Sequence, residues 1–286
     1  MEQPIPRFEL EDIVARALAE DVAWGDLTTE GLVPPELLAR GEVLVKASGV
    51  LAGLMVLARV FAAVDPAVEV DFHSEDGARV SPGQVVARLR GSARGLLTGE
   101  RVALNFLQRL SGIATETARY VEALAGLKAT IIDTRKTTPG LRSLEKYAVR
   151  MGGGQNHRRN LSDGILVKDN HLVAVAGSGR SLVEAVAQAR RRWPHTIKVE
   201  VEVDRLDQIE EALAAGADII LLDNMRPDEL REAVRLIEGR ALTEASGGVS
   251  LGSVREIAET GVDLISVGAL THSARALDIS LEIAIG

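Results

Sequence analysis

The chain has 286 residues, 46% of them hydrophobic but only 3% aromatic, and Lys+Arg 33 against Asp+Glu 41 gives a formal net charge of −8. That length holds one large domain or two modest ones with aliphatic cores. The acidic balance argues against a nucleic-acid partner, which draws a basic footprint. There is no cysteine, which excludes disulfides, thiolate metal sites and a Cys nucleophile. No cationic start followed by an apolar stretch opens the chain, and the apolar segment Gly49 to Val64 is broken by Arg59 and too short to span a bilayer. A cytoplasmic protein with no membrane partner is expected.

Leu10, Ile13, Val14, Ala17 and Leu18 recur at helical spacing and predict an amphipathic helix. Asp21 to Thr29 (D-V-A-W-G-D-L-T-T) is expected to be a loop with Trp24 packed over a core edge. Glu42–Lys46 reads as a strand, Leu54–Val64 as a helix and Val68–Phe72 as a second strand. Val80–Leu89, with S-P-G inside, gives a further pair of short strands. Strands and helices without strict alternation predict an α+β arrangement. Thr98 is expected to cap a helix beginning at Gly99, with Val102, Leu104, Phe106 and Leu107 inward. S-G-I-A-T should end that helix, and a second should run to about Leu124. Arg101, in the first turn, reads from the residues alone as a solvated surface Arg.

From Ala129 the pattern changes. Short β-branched runs at Ala129–Asp133, Gly164–Lys168, Ile197–Val203, Asp218–Asp223, Ala241–Ala245 and Asp263–Val267 alternate with helical patterns. The latter fall near Leu141–Met151, Ser181–Trp193, Leu206–Ala215, Pro227–Ile237 and Val254–Glu259. Strict alternation predicts a parallel sheet. A-A-G-A-D-I-I-L-L-D-N and E-T-G-V-D-L-I-S-V-G resemble one another, and such a repeat suits a barrel better than a doubly wound sheet. No G-x-G-x-x-G follows an early strand, which weakens a dinucleotide-binding reading. Ile279 to Ile285 alternates and is expected to return as a strand to the first domain.

In such barrels chemistry sits at the C-terminal strand ends. The first strand ends in Arg135 and Lys136, the second in Lys168, and Arg142, His157, Arg158 and Arg159 lie between them. This local positive excess in an acidic chain suits a small polyanion, carboxylate or phosphate. In the third strand Lys198, Glu200 and Glu202 share one parity. Glu202, with Asp223 on the neighbouring strand end, can hold Mg²⁺ or ribose hydroxyls, or can pair with Lys198 and Lys168; both readings stand. Ser246-Gly247-Gly248 follows a strand and precedes a helix, so its backbone N–H groups can face a phosphate. Gly268 on the next strand end allows close approach to the same phosphate, or these glycines only relieve crowding. His157, beside Arg158, suits a substrate-orienting role. There is no nucleophile elbow and no H-E-x-x-H motif. The pattern describes a site for two anionic ligands, one carrying phosphates and a metal, the other carboxylates.

E-R-V-A-L-N-F-L-Q-R-L-S-G-I-A-T, D-T-R-K-T-T-P-G-L-R, K-Y-A-V-R-M-G-G-G-Q-N-H-R, K-D-N-H, V-E-V-E-V, L-L-D-N and S-G-G, in this order, resemble the quinolinate phosphoribosyltransferase family, as does the early E-D-V-A-W-G-D-L-T-T. The resemblance covers essentially the whole chain. It implies an N-terminal α/β sandwich domain over residues 1–112, joined by 274–286, and an incomplete, open α/β barrel of parallel strands over 113–273. It implies a homodimer with shared active sites, sometimes assembled further. It also implies the conversion of quinolinate and phosphoribosyl pyrophosphate (PRPP) to nicotinate mononucleotide, pyrophosphate and CO₂ with Mg²⁺, in de novo NAD biosynthesis. By motif match, Arg135, Lys136, His157, Arg158 and Lys168 line the quinolinate pocket, and Arg101 reaches in from the partner subunit. Glu202 and Asp223 take the ribose hydroxyls or the Mg²⁺–pyrophosphate group, directly or through PRPP or water. Ser246, Gly247, Gly248 and Gly268 hold the 5′-phosphate. Lys136, Lys168, Glu202 and Asp223 are the expected catalytic set. The alternatives are a non-catalytic phosphometabolite-binding barrel and a paralogous phosphoribosyltransferase with another acceptor acid.

Overall fold

A computed structural model describes residues 5–285. In chain order the elements are α1 (Arg7–Asp21), α2 (Leu27–Leu32), β1 (Leu38–Val45), β2 (Gly49–Val50), α3 (Leu54–Val64), β3 (Glu69–Phe72), β4 (Arg79–Val80), β5 (Val85–Ser92) and α4 (Ala93–Ala123). There follow β6 (Thr130–Ile132), α5 (Arg142–Met151), β7 (Ile165–Val167), α6 (Asp169–Gly177), α7 (Leu182–Arg192), β8 (Val199–Val203) and, after a 3-10 turn at Leu206–Gln208, α8 (Ile209–Ala214). The chain ends with β9 (Ile219–Asp223), α9 (Pro227–Ile237), β10 (Leu242–Ser246), α10 (Val254–Ala258), β11 (Leu264–Ser266), α11 (Ala269–His272) and β12 (Ile279–Ile285). Among the described residues no helix is long and apolar enough to cross a membrane.

Two compact units form. The first gathers residues 1–118, 137–153 and 270–286. Its main sheet is antiparallel in the order β12-β1-β5-β3. Strand β1 is central, and alternate residues Ala39, Val43 and Val45 are buried. Strand β12 pairs with β1 from Ala39↔Ile285 to Val45↔Ile279. Helix α3 buries Leu54, Val56, Leu57, Val60 and Phe61, and α1 buries Leu10, Ile13 and Val14. Residues 137–153 belong here rather than with the strands that flank them. Tyr147 Oη donates to Asp76 at 2.6 Å and Arg109 Nη2 meets the fully buried Glu145 at 2.9 Å.

Three expectations for this unit need correction. Helix α4 is one continuous 31-residue element that starts at Ala93, with no break at S-G-I-A-T. Gly112 is there for a close approach: a Cβ would lie 2.0 Å from the Arg275 carbonyl oxygen. The helix tolerates its cost of about 1 kcal/mol against Ala because the flanking turns are packed and bonded. Ser111 Oγ, for instance, accepts the Ala52 N–H at 3.0 Å. Thr98 therefore lies inside the helix and caps nothing; its hydroxyl donates to Asp26 at 3.1 Å. Asp26 in turn caps α2 by accepting from Thr29 N at 2.9 Å, so part of the expected loop is helical. Trp24 sits in a tight turn closed by Gly25 N–H to Val22 O and is 96% exposed, not packed on the core.

The second unit comprises residues 119–136 and 154–269. Its six strands are parallel in the order β6-β11-β10-β9-β8-β7. From β7 to β11 each strand neighbours the next in sequence, and β6 lies beyond β11, the order of a barrel left open between β6 and β7. At that gap Ile132 bridges to Gln155. On β8, Val199, Val201 and Val203 are buried on one face and Glu200 and Glu202 take the other. Helix α6, directly after β7, was not anticipated, and the single helix expected over Leu206–Ala215 is a 3-10 turn followed by α8.

Candidate active site

The C-terminal ends of the parallel strands surround a pocket of about 610 Å³. Thr134, Arg135 and Lys136 line it after β6, His157 and Arg158 from the loop that follows Gln155, and Lys168 after β7. Glu202 on β8, Asp223 and Asn224 at the end of β9, and Glu244, Ser246, Gly247 and Gly248 from β10 onward complete the ring with Ser266 of β11. Strand parity explains the membership. Leu221 and Asp223, Glu244 and Ser246 are pairs two apart, and each pair points to one face.

The cationic side is held by a buried carboxylate. Asp133 accepts from His157 N at 2.9 Å and from Asn156 Nδ2 at 2.7 Å. His157 Nδ1 accepts the Arg158 N–H at 2.6 Å, and Nε2 lies 3.1 Å from Glu200 and 3.8 Å from Glu244. The tautomer with its proton on Nε2 fits these contacts. His157 therefore presents its ring to the pocket while both nitrogens face protein groups. Arg158 Nη1 donates to Gly164 O at 3.1 Å. Burial, and then the neighbouring Arg135 guanidinium, pulls the Arg158 pKa down. Arg135 Nε is buried with no hydrogen-bond partner among the described residues. Two guanidinium groups lining one pocket suit an anion.

Across the pocket, Lys168 Nζ meets Glu202 at 3.1 Å, whereas Lys198 turns to Asp218 at 3.6 Å. Asp223 accepts from Asn224 Nδ2 at 2.6 Å. Asn224 has φ +55°, and its N–H donates to Ser246 O at 2.8 Å. Gly247, at φ +94°, packs so tightly on this residue that a Cβ would sit 2.1 Å from Asn224 Oδ1. Below them Glu244 is buried, and burial, followed by the nearby Glu200 carboxylate, pushes its pKa up to about 8.

Residues 26–111 match the model of the quinolinate phosphoribosyl transferase N-terminal domain, and residues 113–282 match that of the C-terminal domain. The chain belongs to the quinolinate phosphoribosyltransferase family. Among its family relatives, the probable nicotinate-nucleotide pyrophosphorylase (carboxylating) of Bacillus subtilis is 45% identical over 276 residues, covering 96% of this chain and 94% of the relative. The nicotinate-nucleotide pyrophosphorylase (carboxylating) of Mycobacterium leprae is 47% identical over 280 residues, with 95% and 96% covered. The crystal structure of NadC from Streptococcus pyogenes superposes with a TM-score of 0.93 at 46% identity, covering 99% of each chain.

Of the residues matched to the family motifs, Arg135, Lys136, His157, Arg158, Lys168, Glu202, Asp223, Ser246, Gly247 and Gly248 all line the one pocket. Gly268 is not among its lining residues; it lies between β11 and α11. Arg101 is on α4 in the other unit, exposed, with Glu100 4.0 Å away. Arg142 is also outside the pocket, on α5, its Nε bonded to Thr137 at 3.0 Å. Glu244 and Ser266 line the pocket and were not picked out by motif. Parity held the signal for Glu244, which stands two residues before Ser246 on the same strand face.

Proposed function

We propose that this protein transfers the phosphoribosyl group of PRPP to the ring nitrogen of quinolinate and releases CO₂, giving nicotinate mononucleotide and pyrophosphate. The observation that carries this reading is the Arg135–Arg158 pair, whose guanidinium groups share one side of a pocket opposite a carboxylate-and-glycine rim. A dicarboxylate answers that charge better than a monocarboxylate does. The pyridine nitrogen is itself the nucleophile, so the protein needs no covalent residue; its task is orientation. Arg135 and Arg158 offer bidentate geometry, while Lys136 and Lys168 act as point charges. The Glu202 and Asp223 carboxylates accept from the ribose hydroxyls, and the N–H groups of Gly247 and Gly248 face the 5′-phosphate.

Oxygen donors suit a hard divalent ion, and Glu202 and Asp223 line one side of the pocket with no nitrogen or sulfur ligand required. These two residues would hold Mg²⁺, directly or through PRPP or water. Bound there, the ion supplies positive charge that offsets the charge of the departing pyrophosphate. Arg101, exposed on α4, would complete the site of a second copy of the chain in a homodimer.

The test mixes protein, quinolinate, PRPP and Mg²⁺ and follows CO₂ and nicotinate mononucleotide. Product from nicotinate but none from quinolinate would sink the reading. The phosphate cradle has its own test. In Gly247→Ala the new Cβ must displace Asn224 and sit at an unfavourable φ. The KM for PRPP should rise tenfold or more, at about 1.4 kcal/mol per tenfold, with the KM for quinolinate far less affected. Equal changes in both would remove Gly247 from the phosphate site.

A further inference from the structure

We propose that Glu244 is the proton donor that finishes the reaction, placing a hydrogen on the ring carbon that has lost its carboxylate. The inference rests on the reaction proposed above. When the C–CO₂ bond breaks, CO₂ leaves and the electron pair stays on the ring carbon beside the cationic nitrogen. That carbon must take a proton. Glu244 gives up its O–H hydrogen, a C–H bond forms, and Glu244 is left as a carboxylate.

The geometry singles out this side chain. Glu244 is 1% exposed yet lines the pocket in which the ring would lie. Its Oε1 is buried with no hydrogen-bond partner among the described residues, as is Oε1 of Glu200. Two carboxylates buried this close together, with His157 between them, do not both ionise, so one holds a proton. The groups facing Glu244 are Glu200 from β8, His157 from the loop after Gln155 and the Ser266 hydroxyl from β11. Its register partners, Leu221 on β9 and Leu264 on β11, are apolar. The proton falls to Glu244, whose pKa is pushed up to about 8, so it is loaded at neutral pH and is a stronger acid than an ordinary lysine. The new carboxylate, facing that of Glu200, draws a proton back. A second cavity of about 210 Å³, lined by Glu200, Glu244, Asp163 and Lys198 among others, gives water a place to return it.

Glu244→Gln keeps the shape of the protonated acid but has no proton to give. In the wild type, pyrophosphate and nicotinate mononucleotide should form in equal amounts. In the variant, mononucleotide formation should fall on the order of 100-fold or more, well beyond the fall in pyrophosphate release. Mass spectrometry of quenched reactions should then find the N-ribosylated dicarboxylate accumulating. The decline in wild-type decarboxylation as pH rises through about 8 should vanish in the variant. Equal loss of both products, or an unchanged pH profile, overturns the proposal. So does a Mn²⁺ ion found bound by His157, Glu200 and Glu244 during turnover, since those oxygens would then be ligands. If circular dichroism shows the Gln variant unfolded, Glu244→Asp replaces it, and an unshifted pH midpoint there also overturns the proposal. Failure of the underlying reaction reads differently, because the wild type then releases no pyrophosphate from quinolinate.

Discussion

Arg158→Ala raises the KM for quinolinate by roughly 100-fold and leaves the KM for PRPP within a few-fold. A hydrogen bond to a charged group contributes about 1.5–3 kcal/mol, and a bidentate pair in a half-buried pocket lies at the upper end. At about 1.4 kcal/mol per tenfold, that is a loss of about two orders of magnitude. Arg158→Lys recovers only part, because a point charge cannot span both carboxylate oxygens. The empty protein responds far less. Arg158 is partly buried and feels the like charge of Arg135, so its removal relieves both costs. It also forfeits the bond to Gly164 O at 3.1 Å and the attraction of the Glu200 and Asp163 carboxylates. These effects oppose one another, so the Tm without ligand should change little, while the Tm gain on adding quinolinate shrinks. Initial-rate kinetics and thermal melts read both. A matched rise in both KM values would take Arg158 out of the acid-binding side.

Arg101→Ala and Lys168→Ala each lose most activity alone, and mixing the two restores part of it. The reasoning is geometric. Arg101 is exposed on α4, and Lys168 is at the end of β7 beside Glu202. If a site takes Lys168 from one chain and Arg101 from its partner, a mixed dimer contains one site with both residues intact. Random exchange of equal amounts makes about half the dimers mixed, each with one working site of two, so about a quarter of the wild-type rate returns. Subunit exchange is verified separately with differently tagged chains. Verified exchange without recovery shows that each site draws both residues from the same chain.

The barrel was legible because its signal is periodic. Six short apolar runs separated by helical spacing leave few topologies, and the ends of those runs carry the charged residues wherever the register falls. Gln155, by contrast, bridges the open edge with no periodic pattern of its own, and nothing in G-G-G-Q-N-H announces it. Gly112 misled because glycine breaks an isolated helix, whereas here a backbone carbonyl from a distant segment needs the space. Trp24 misled because a large apolar ring is usually covered, and this one stands in a turn open to solvent. Glu244 was hidden by its neighbours: E-A-S-G-G draws the eye to the glycines, and the buried acid is recognisable only once Glu200, two strands away, is seen on the same face. Arg101 is the opposite case, since one chain shows only its exposure and the motif alone supplies a role.

On the β6 side of the gap between β6 and β7, the edge is capped by something other than a strand. Gln155 donates to Ile131 O at 2.9 Å and accepts from Asp133 N at 3.1 Å, taking the hydrogen bonds that a missing stave would have made. The next residues, Asn156 and His157, hang from Asp133, and Arg158 follows. The bonds at this seam and the pocket-lining Arg158 thus belong to one piece of chain. A ligand that fastens Arg158 also tightens the seam, so amides near Ile131 and Gln155 should exchange more slowly once the pocket is filled.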